Sequence, residues 1–149
     1  MSETPEDSPP AFPFLGMAWR RARHGTWRVA VSEESMAPAL AQGDWLLLDP
    51  TGHDWPRRGA IVVFREPDTD ILAIKRVAAR PGDRVRIEAG ILHLAADEAW
   101  LLGDNASVSR DSRGYGPVPL EALVGRAWFR YGPAPRIGLI RGHGQGRAR

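Results

Sequence analysis

The sequence predicts a mostly β protein, a single domain built from one coiled antiparallel sheet. Short apolar or alternating segments recur along the chain, separated by turns rich in glycine, proline and aspartate. A helical pattern is limited to one short turn at 120–124. With 149 residues, of which 43% are hydrophobic, the chain is long enough for one domain with a core, and a second domain would be cramped.

The first predicted strand leads into a loop that contains a serine. Residues 27–31 alternate between apolar and other side chains, which is typical of a half-buried strand. Ser35 follows this strand, and Pro38 restrains the backbone after the serine and keeps it from continuing as a simple helix. A continuous apolar run at 45–49 predicts the next strand. We therefore expect Ser35 at a strand end.

The remaining segments predict a β meander with a polar loop near its end. A polar turn at 65–70 separates two apolar segments, which favours an antiparallel pair. The loop at 103–119 is rich in serine, aspartate and arginine, and loops beside strand ends are where functional residues gather. The further predicted strands are 61–64, 71–79, 84–88, 91–94, 99–102 and 125–131.

Lys75 is chemically unusual in this chain. Of the 20 basic residues only this one is a lysine, and all the others are arginines. Arginine keeps its proton in a protein, whereas a buried lysine can lose it. Strand alternation places Lys75 on one face with Ala73 and Val77, where desolvation lowers the pKa of a lysine. A neutral amine can activate a serine, so we expect Ser35 to be a nucleophile and Lys75 its base. A chance lysine in an arginine-biased chain is the alternative.

Composition excludes several classes of function. The formal net charge is only +2, and the arginines are spread along the chain without interleaved aromatic residues, so we expect no nucleic-acid partner. The absence of cysteine removes disulfides, thiol catalysis and thiolate metal sites. The histidines also lack metal-ligand spacing, so we expect no metal and no other cofactor. They are His24, His53, His93 and His143.

Both ends of the chain are predicted to lie outside the domain, which we place at 27–133. Residues 1–26 begin with acids and prolines, the reverse of a secretory signal, and their apolar run at 11–19 is shorter than the roughly 20 residues that cross a bilayer. We therefore expect no membrane anchor, no membrane association and a cytoplasmic location, with peripheral attachment through this segment as the alternative. Residues 134–149 are basic and are expected to be disordered.

Three ordered motifs resemble the signal peptidase I family of serine-lysine endopeptidases, over roughly residues 29–131. The first motif is Ser35-Met36-x-Pro38-x-Leu40 followed by Gly43-Asp44. The second runs from Arg58-Gly59-x-Ile61-Val62-Val63-Phe64 through Ile74-Lys75-Arg76-Val77 to Pro81-Gly82-Asp83. The third runs from Gly103-Asp104-Asn105 through Ser109-x-Asp111-Ser112-Arg113 to Gly116-x-Val118-Pro119 and Gly125-Arg126. The resemblance implies the coiled β-sheet of that family's catalytic core.

The resemblance also implies roles for individual residues. Ser35 matches the nucleophile, with its backbone N–H as an oxyanion donor, and Lys75 matches the base. Ser109 matches a serine whose hydroxyl helps to orient the lysine amine. Asp111 and Arg113 match an ion pair that braces the site.

Glu33 departs from one form of the family pattern. Some members carry a hydroxyl two residues before the nucleophile, whereas a carboxylate in that place cannot donate to an oxyanion. Members with glycine at this position also exist, so the departure is compatible with activity. The second oxyanion donor stays open, and the pair Glu33-Glu34 favours a basic substrate.

Three features are similar to a small branch of the family, the nickel-type superoxide dismutase maturation proteases. They are the missing N-terminal anchor, the short interval from Lys75 to Gly103, and the ending Phe129-Arg130-Tyr131-Gly132-Pro133. The similarity implies an enzyme that removes the N-terminal leader of a precursor protein. That precursor is the expected partner.

Three other interpretations fit part of the sequence. A signal peptidase for secretory preproteins would take its membrane anchor from another chain. A self-cleaving repressor shares the serine-lysine pair, but no Ala-Gly or Cys-Gly bond precedes Ser35, and the segment before it is too short for a DNA-binding domain. An inactive module that binds a peptide as an added strand would not need the intact pair.

Overall fold

The computed structural model describes residues 20–21, 27–50 and 53–142, and it confirms a mostly β protein with one large antiparallel sheet. Along these residues the strands and the single α-helix are β1 (Arg20–Arg21), β2 (Trp27–Ala30), β3 (Trp45–Asp49), β4 (Ile61–Arg65), β5 (Leu72–Ala79), β6 (Arg84–Ile87), β7 (Gly90–His93), β8 (Glu98–Leu102), α1 (Ser112–Tyr115), β9 (Val118–Pro119), β10 (Leu123–Gly132) and β11 (Gly138–Leu139). Two 3-10 turns lie at Leu120–Ala122 and Ala134–Arg136.

Within the described residues the large sheet has nine strands, of which eight follow the order β1-β2-β3-β10-β4-β5-β8-β9, while β11 pairs with β10. A separate hairpin is formed by β6 and β7. Strand β10 is central because it pairs with β3 on one side and β4 on the other. It therefore joins the half of the sheet that carries the Ser35 loop to the half that carries Lys75.

The core lies on both faces of the central strands. Adjacent side chains of β4 point to opposite faces, so Ile61 and Val63 enter one apolar cluster while Val62 and Phe64 enter another. All four are buried. A strand that is covered on both faces reads as a continuous apolar run, which is the pattern of this segment.

The predicted strands are found with ends that differ by two residues or fewer. Two departures fall in the later part of the chain. The predicted helical turn at 120–124 is a 3-10 turn that stops at Ala122, because Leu123 already pairs with Phe64 of β4. The predicted loop at 103–119 contains α1, whose first turn is capped by the Asp111 carboxylate accepting from the Arg113 N–H.

Residues 134–142 of the predicted disordered tail are among the described residues and contain a 3-10 turn and β11. Residues 138–139 pair with β10, and the Arg136 guanidinium lies 2.9 Å from the carboxylate of Asp44. Asp44 is buried and also accepts from Arg130 at 2.9 Å. Burial opposes ionisation of Asp44, but the hydrogen bonds from the Ala41 N–H and both guanidinium groups outweigh it and lower its pKa. Arg136, which the sequence pattern places in a solvated tail, therefore anchors residues 134–139 to the domain through Asp44.

Most of the predicted N-terminal segment, 1–26, lies outside the described residues, as do 143–149 of the predicted tail. The described part of the N-terminal segment includes β1, which pairs with β2. In the portion of the chain that the structure describes, no helix is long and apolar enough to cross a membrane.

Candidate active site

Ser35 lies in the loop between β2 and β3. A backbone hydrogen bond from Val31 N to Asp44 O, 2.9 Å long, closes the loop at its base. Met36 and Leu40 are each 1% exposed and belong to the apolar cluster on one face of the sheet. Burial of these two side chains holds the segment after the serine in place.

Lys75 lies in the middle of β5, where it pairs with Val62 of β4. Its face of the strand is apolar as predicted, because Ala73 and Val77 belong to the same buried cluster as Val62. The Lys75 Nζ lies 2.8 Å from the Ser35 Oγ, and both residues are buried. The structure therefore brings together the two residues that the sequence singled out, at a distance that suits proton transfer.

Burial disfavours the ammonium form of Lys75 and lowers its pKa below 10.5, although three carboxylates oppose the shift. The carboxylates belong to Glu33, Glu66 and Asp111. The net lowering favours the neutral amine, which is the form that a proton acceptor for Ser35 requires.

We expect activity to rise with pH through the pKa of Lys75, since protonation of the amine removes the base. The direction of the shift places this rise below the pH at which an exposed lysine would titrate. The rate of cleavage should be measured against pH, together with the ¹³Cε chemical shift of labelled lysine. Lys75 is the only lysine, so that signal reports on it alone. A rate that stays flat while the signal titrates would contradict the assignment.

The carboxylate of Asp111 is the hub of the neighbouring loop. It accepts hydrogen bonds from the Gly103 N–H at 3.0 Å, from the Ser109 hydroxyl at 2.7 Å and from the Arg113 guanidinium at 2.6 Å. Burial opposes the ionised form, but these bonds outweigh it and lower the pKa of Asp111 to about 2. The predicted ion pair between Asp111 and Arg113 is present.

Ser109 takes a different place from the one that the resemblance implies. Its hydroxyl donates to Asp111, and among the described residues no hydrogen bond joins it to Lys75. Asp111 is a buried carboxylate, and a charged carboxylate is a strong hydrogen-bond acceptor for the hydroxyl. In this geometry Ser109 supports the loop around the pair and does not hold the amine directly.

We expect Asp111 to make stability depend on pH in the acid range. A carboxyl whose pKa is lowered from 3.8 to about 2 on folding contributes stability above pH 4, and this contribution is lost as pH falls through the folded pKa. The difference corresponds to about 2 kcal/mol. Urea unfolding between pH 6 and 2 should therefore show a steeper loss for wild type than for Asp111→Asn. Parallel curves would show that the carboxylate contributes nothing of this kind.

Asn105, for which the sequence predicts no role, holds the backbone around Ser35. Its N–H donates to the Ser35 carbonyl at 2.8 Å, and its side-chain amide donates to the Glu34 carbonyl at 3.1 Å. Gly103 packs closely against the same Ser35 carbonyl, since a Cβ at Gly103 would lie 2.8 Å from its oxygen. Gly103 and Asn105 both belong to the third motif, but no sequence pattern predicts that either residue contacts the Ser35 backbone.

A buried ion pair fixes the start of the same loop. The Arg76 guanidinium makes two hydrogen bonds to the Asp104 carboxylate, at 2.8 and 2.6 Å, and a third to the Gly59 carbonyl at 2.7 Å. Arg76 follows Lys75 in β5 and points to the other side of the strand, as alternation predicts. Neighbouring residues of one strand thus hold the loop and supply the candidate base.

Glu33 lies beside the pair. Its Oε2 is 3.5 Å from the Ser35 Oγ and 3.8 Å from the Lys75 Nζ. The carboxylate is therefore close enough to favour the ammonium form of the lysine. A metal centre has no support in the described residues, where no group of three or more candidate ligands occurs.

The fold and the serine-lysine pair define a candidate serine hydrolase with an amine base, and comparison with known proteins gives the family. The model of the family "Signal peptidase, peptidase S26" matches residues 12–99 and 89–132. The chain therefore belongs to the signal peptidase family, a family of peptidases.

Individual relatives agree with this assignment. The probable signal peptidase I-2 of Synechocystis sp. is 34% identical in an alignment that covers 74% of this chain and 65% of that protein. The signal peptidase I of Leptolyngbya laminosa is 30% identical over 74% of this chain and 70% of its own length. The mitochondrial inner membrane protease subunit 1 of Xenopus tropicalis is 34% identical over 80% of this chain and 77% of its own length.

Proposed function

We propose that the protein is a serine endopeptidase that removes an N-terminal leader or propeptide from a precursor protein, with Ser35 as nucleophile and Lys75 as base. The observation that carries the proposal is the 2.8 Å contact between the Lys75 Nζ and the Ser35 Oγ in a buried setting. A buried lysine without a full counter-charge is costly, and neutralising the amine is how that cost is relieved.

The chemistry follows from this contact. The Ser35 Oγ bonds to the carbonyl carbon of the scissile peptide while its proton passes to the neutral Lys75 amine. The C–N bond then breaks as the ammonium returns the proton to the leaving amine, which leaves an ester on Ser35. Water attacks the ester and gives one proton to Lys75. The C–O bond breaks, and the Ser35 oxygen recovers that proton.

The developing oxyanion needs a donor, and we assign this role to the Ser35 N–H. Among the described residues this N–H has no hydrogen-bond partner, while the carbonyl of the same residue accepts from the Asn105 N–H at 2.8 Å. The residue is thus held through its carbonyl with its N–H available. Preorganised backbone donors of this kind typically contribute about 3 kcal/mol to transition-state stabilisation.

For the substrate we propose the precursor of a nickel-type superoxide dismutase, whose leader is removed in the cytoplasm to expose the N-terminus that ligates nickel. The support is the resemblance of the ending at 129–133 and of the short interval between Lys75 and Gly103 to that branch. We expect neither a membrane partner nor a nucleic acid to be needed.

Co-expression tests this substrate. The precursor should be produced with wild-type protein or with Ser35→Ala, in a host that lacks other processing enzymes. Mass spectrometry is expected to find a shortened, nickel-loaded product with wild type and only the full-length, metal-free precursor with the variant. Efficient nickel loading alongside Ser35→Ala would rule out this substrate and leave the endopeptidase proposal standing.

The relatives favour a second candidate substrate, a secretory preprotein. Two of the relatives described above are named signal peptidases I. Incubation of a secretory preprotein with the protein, with and without vesicles, tests it. Cleavage of the preprotein and not of the nickel enzyme's precursor would favour the second candidate.

A further inference from the structure

Glu33 is the carboxylate at the entrance to the Ser35–Lys75 pair. Its side chain is 42% exposed, whereas the Lys75 side chain is 2% exposed. Its Oε2 lies 3.5 Å from the Ser35 Oγ. A substrate carbonyl that approaches the Ser35 Oγ must therefore bring the side chains of the neighbouring substrate residues close to Glu33.

Three carboxylates raise the pKa of Lys75, and Glu33 differs from the other two in having no arginine partner among the described residues. Asp111 lies 2.6 Å from the Arg113 guanidinium, and Glu66 lies 3.1 Å from that of Arg110. Glu33 lies 3.8 Å from the Lys75 Nζ, and no guanidinium of the described residues forms an ion pair with it.

Catalysis creates an imbalance at this point. The amine must give up its proton before Ser35 can attack, which leaves the Glu33 carboxylate without a cation beside it. The paired carboxylates keep their guanidinium partners throughout. A cation supplied from outside would restore the balance and remove the interaction that favours the ammonium form of Lys75.

We propose that Glu33 is a specificity-determining residue that selects substrates with a lysine or arginine side chain next to the scissile bond. This rests on the proposed endopeptidase function. The substrate's cation pairs with the partly exposed Glu33 carboxylate and replaces Lys75 as its partner. Recognition of the substrate and formation of the neutral base are then coupled in one step.

Glu34 provides a matched control. It carries the same charge one residue closer to the serine and is exposed, and its carbonyl is held by the Asn105 side chain. Its carboxylate has no contact with the pair among the described residues. Glu34→Gln therefore removes a charge from the same loop without touching Ser35 or Lys75.

Cleavage-site profiling tests the proposal. The probe is a peptide library made by digesting a proteome with a glutamate-specific protease, so that lysine and arginine remain internal. Wild type is expected to enrich these two residues about fivefold at one position within three residues of the cut, the effect of one partly exposed ion pair. Glu33→Gln should lose the enrichment, whereas Glu33→Asp and Glu34→Gln should keep it.

A second readout separates recognition from a merely structural role. In Glu33→Gln the pKa of Lys75, followed through the ¹³Cε signal of the only lysine, is expected to fall further, and the acid limb of activity should move to lower pH with it. The proposal is overturned if Glu33→Gln shows the same enrichment as wild type, or if wild type shows no enrichment. Either result leaves the endopeptidase function intact. Wild type that cuts no more peptides than Ser35→Ala contradicts the endopeptidase function and this proposal with it.

Discussion

Lys75→Arg and Lys75→Met are each expected to abolish cleavage, with rates at least a thousandfold below wild type, roughly the scale seen when one member of a catalytic pair is lost. Arginine keeps the positive charge but stays protonated, and methionine fills much of the same space without a basic atom. Both variants therefore leave Ser35 without a proton acceptor. Rates of precursor or library cleavage, compared with Ser35→Ala, provide the measurement.

The two variants separate loss of the base from loss of the fold. Lys75 is 1% exposed, so Lys75→Met replaces a buried polar group by an apolar one and should not reduce the melting temperature. Arginine is larger than lysine, and Lys75→Arg on its own could lose activity by disturbing the packing. A folded Lys75→Met with substantial turnover would remove lysine from the role of base.

The strand pattern and the unusual lysine were predictable because both depend on local sequence. The run at Ile61–Phe64 has strand length and no polar interruption, and the structure buries it on both faces. Alternation around Lys75 predicts its apolar face, and Ala73 and Val77 on that face are buried. Its use as the only lysine among arginines indicated a proton acceptor, and the 2.8 Å contact with Ser35 agrees with that chemistry.

The contacts that could not be predicted join segments that are distant in sequence. Arg136 looked like part of a solvated tail, but it pairs with Asp44, which is buried. Arg76 and Asp104 form a buried pair that no spacing rule indicates. The two-residue strands are too short to show a period, and their pairing depends on longer neighbours that are already in place.

Ser109 shows the same limit within the site. The resemblance implied that its hydroxyl orients the lysine, whereas it donates to Asp111 at 2.7 Å. The Lys75 amine and the Asp111 carboxylate are the two candidate partners, and the choice between them depends on the orientation of the Ser109 side chain. A motif gives the residue type and its order in the chain, but not the partner of its hydrogen bond.

Gly103→Ala is expected to reduce cleavage by roughly a hundredfold, the scale of a displacement of about 1 Å in a catalytic group. A Cβ at this position would lie 2.0 Å from the Ser109 Oγ and 2.8 Å from the Ser35 carbonyl oxygen. Neither distance is compatible with van der Waals contact, so the Ser35 backbone or the Ser109 side chain must move. The same crowding should lower the free energy of unfolding by about 1–3 kcal/mol.

Gly114→Ala is the matched control, because it makes the same chemical change in the same part of the chain where a Cβ meets no atom within 4 Å. It should retain wild-type cleavage, and its stability should be equal or slightly higher, since alanine favours the α-helix that contains residue 114. Cleavage rates and urea unfolding of both variants at one pH separate crowding at the nucleophile from a general effect of replacing glycine. Equal activity of Gly103→Ala and wild type would show that the Ser35 carbonyl can shift without moving the hydroxyl, and that close packing of Gly103 does not position the nucleophile.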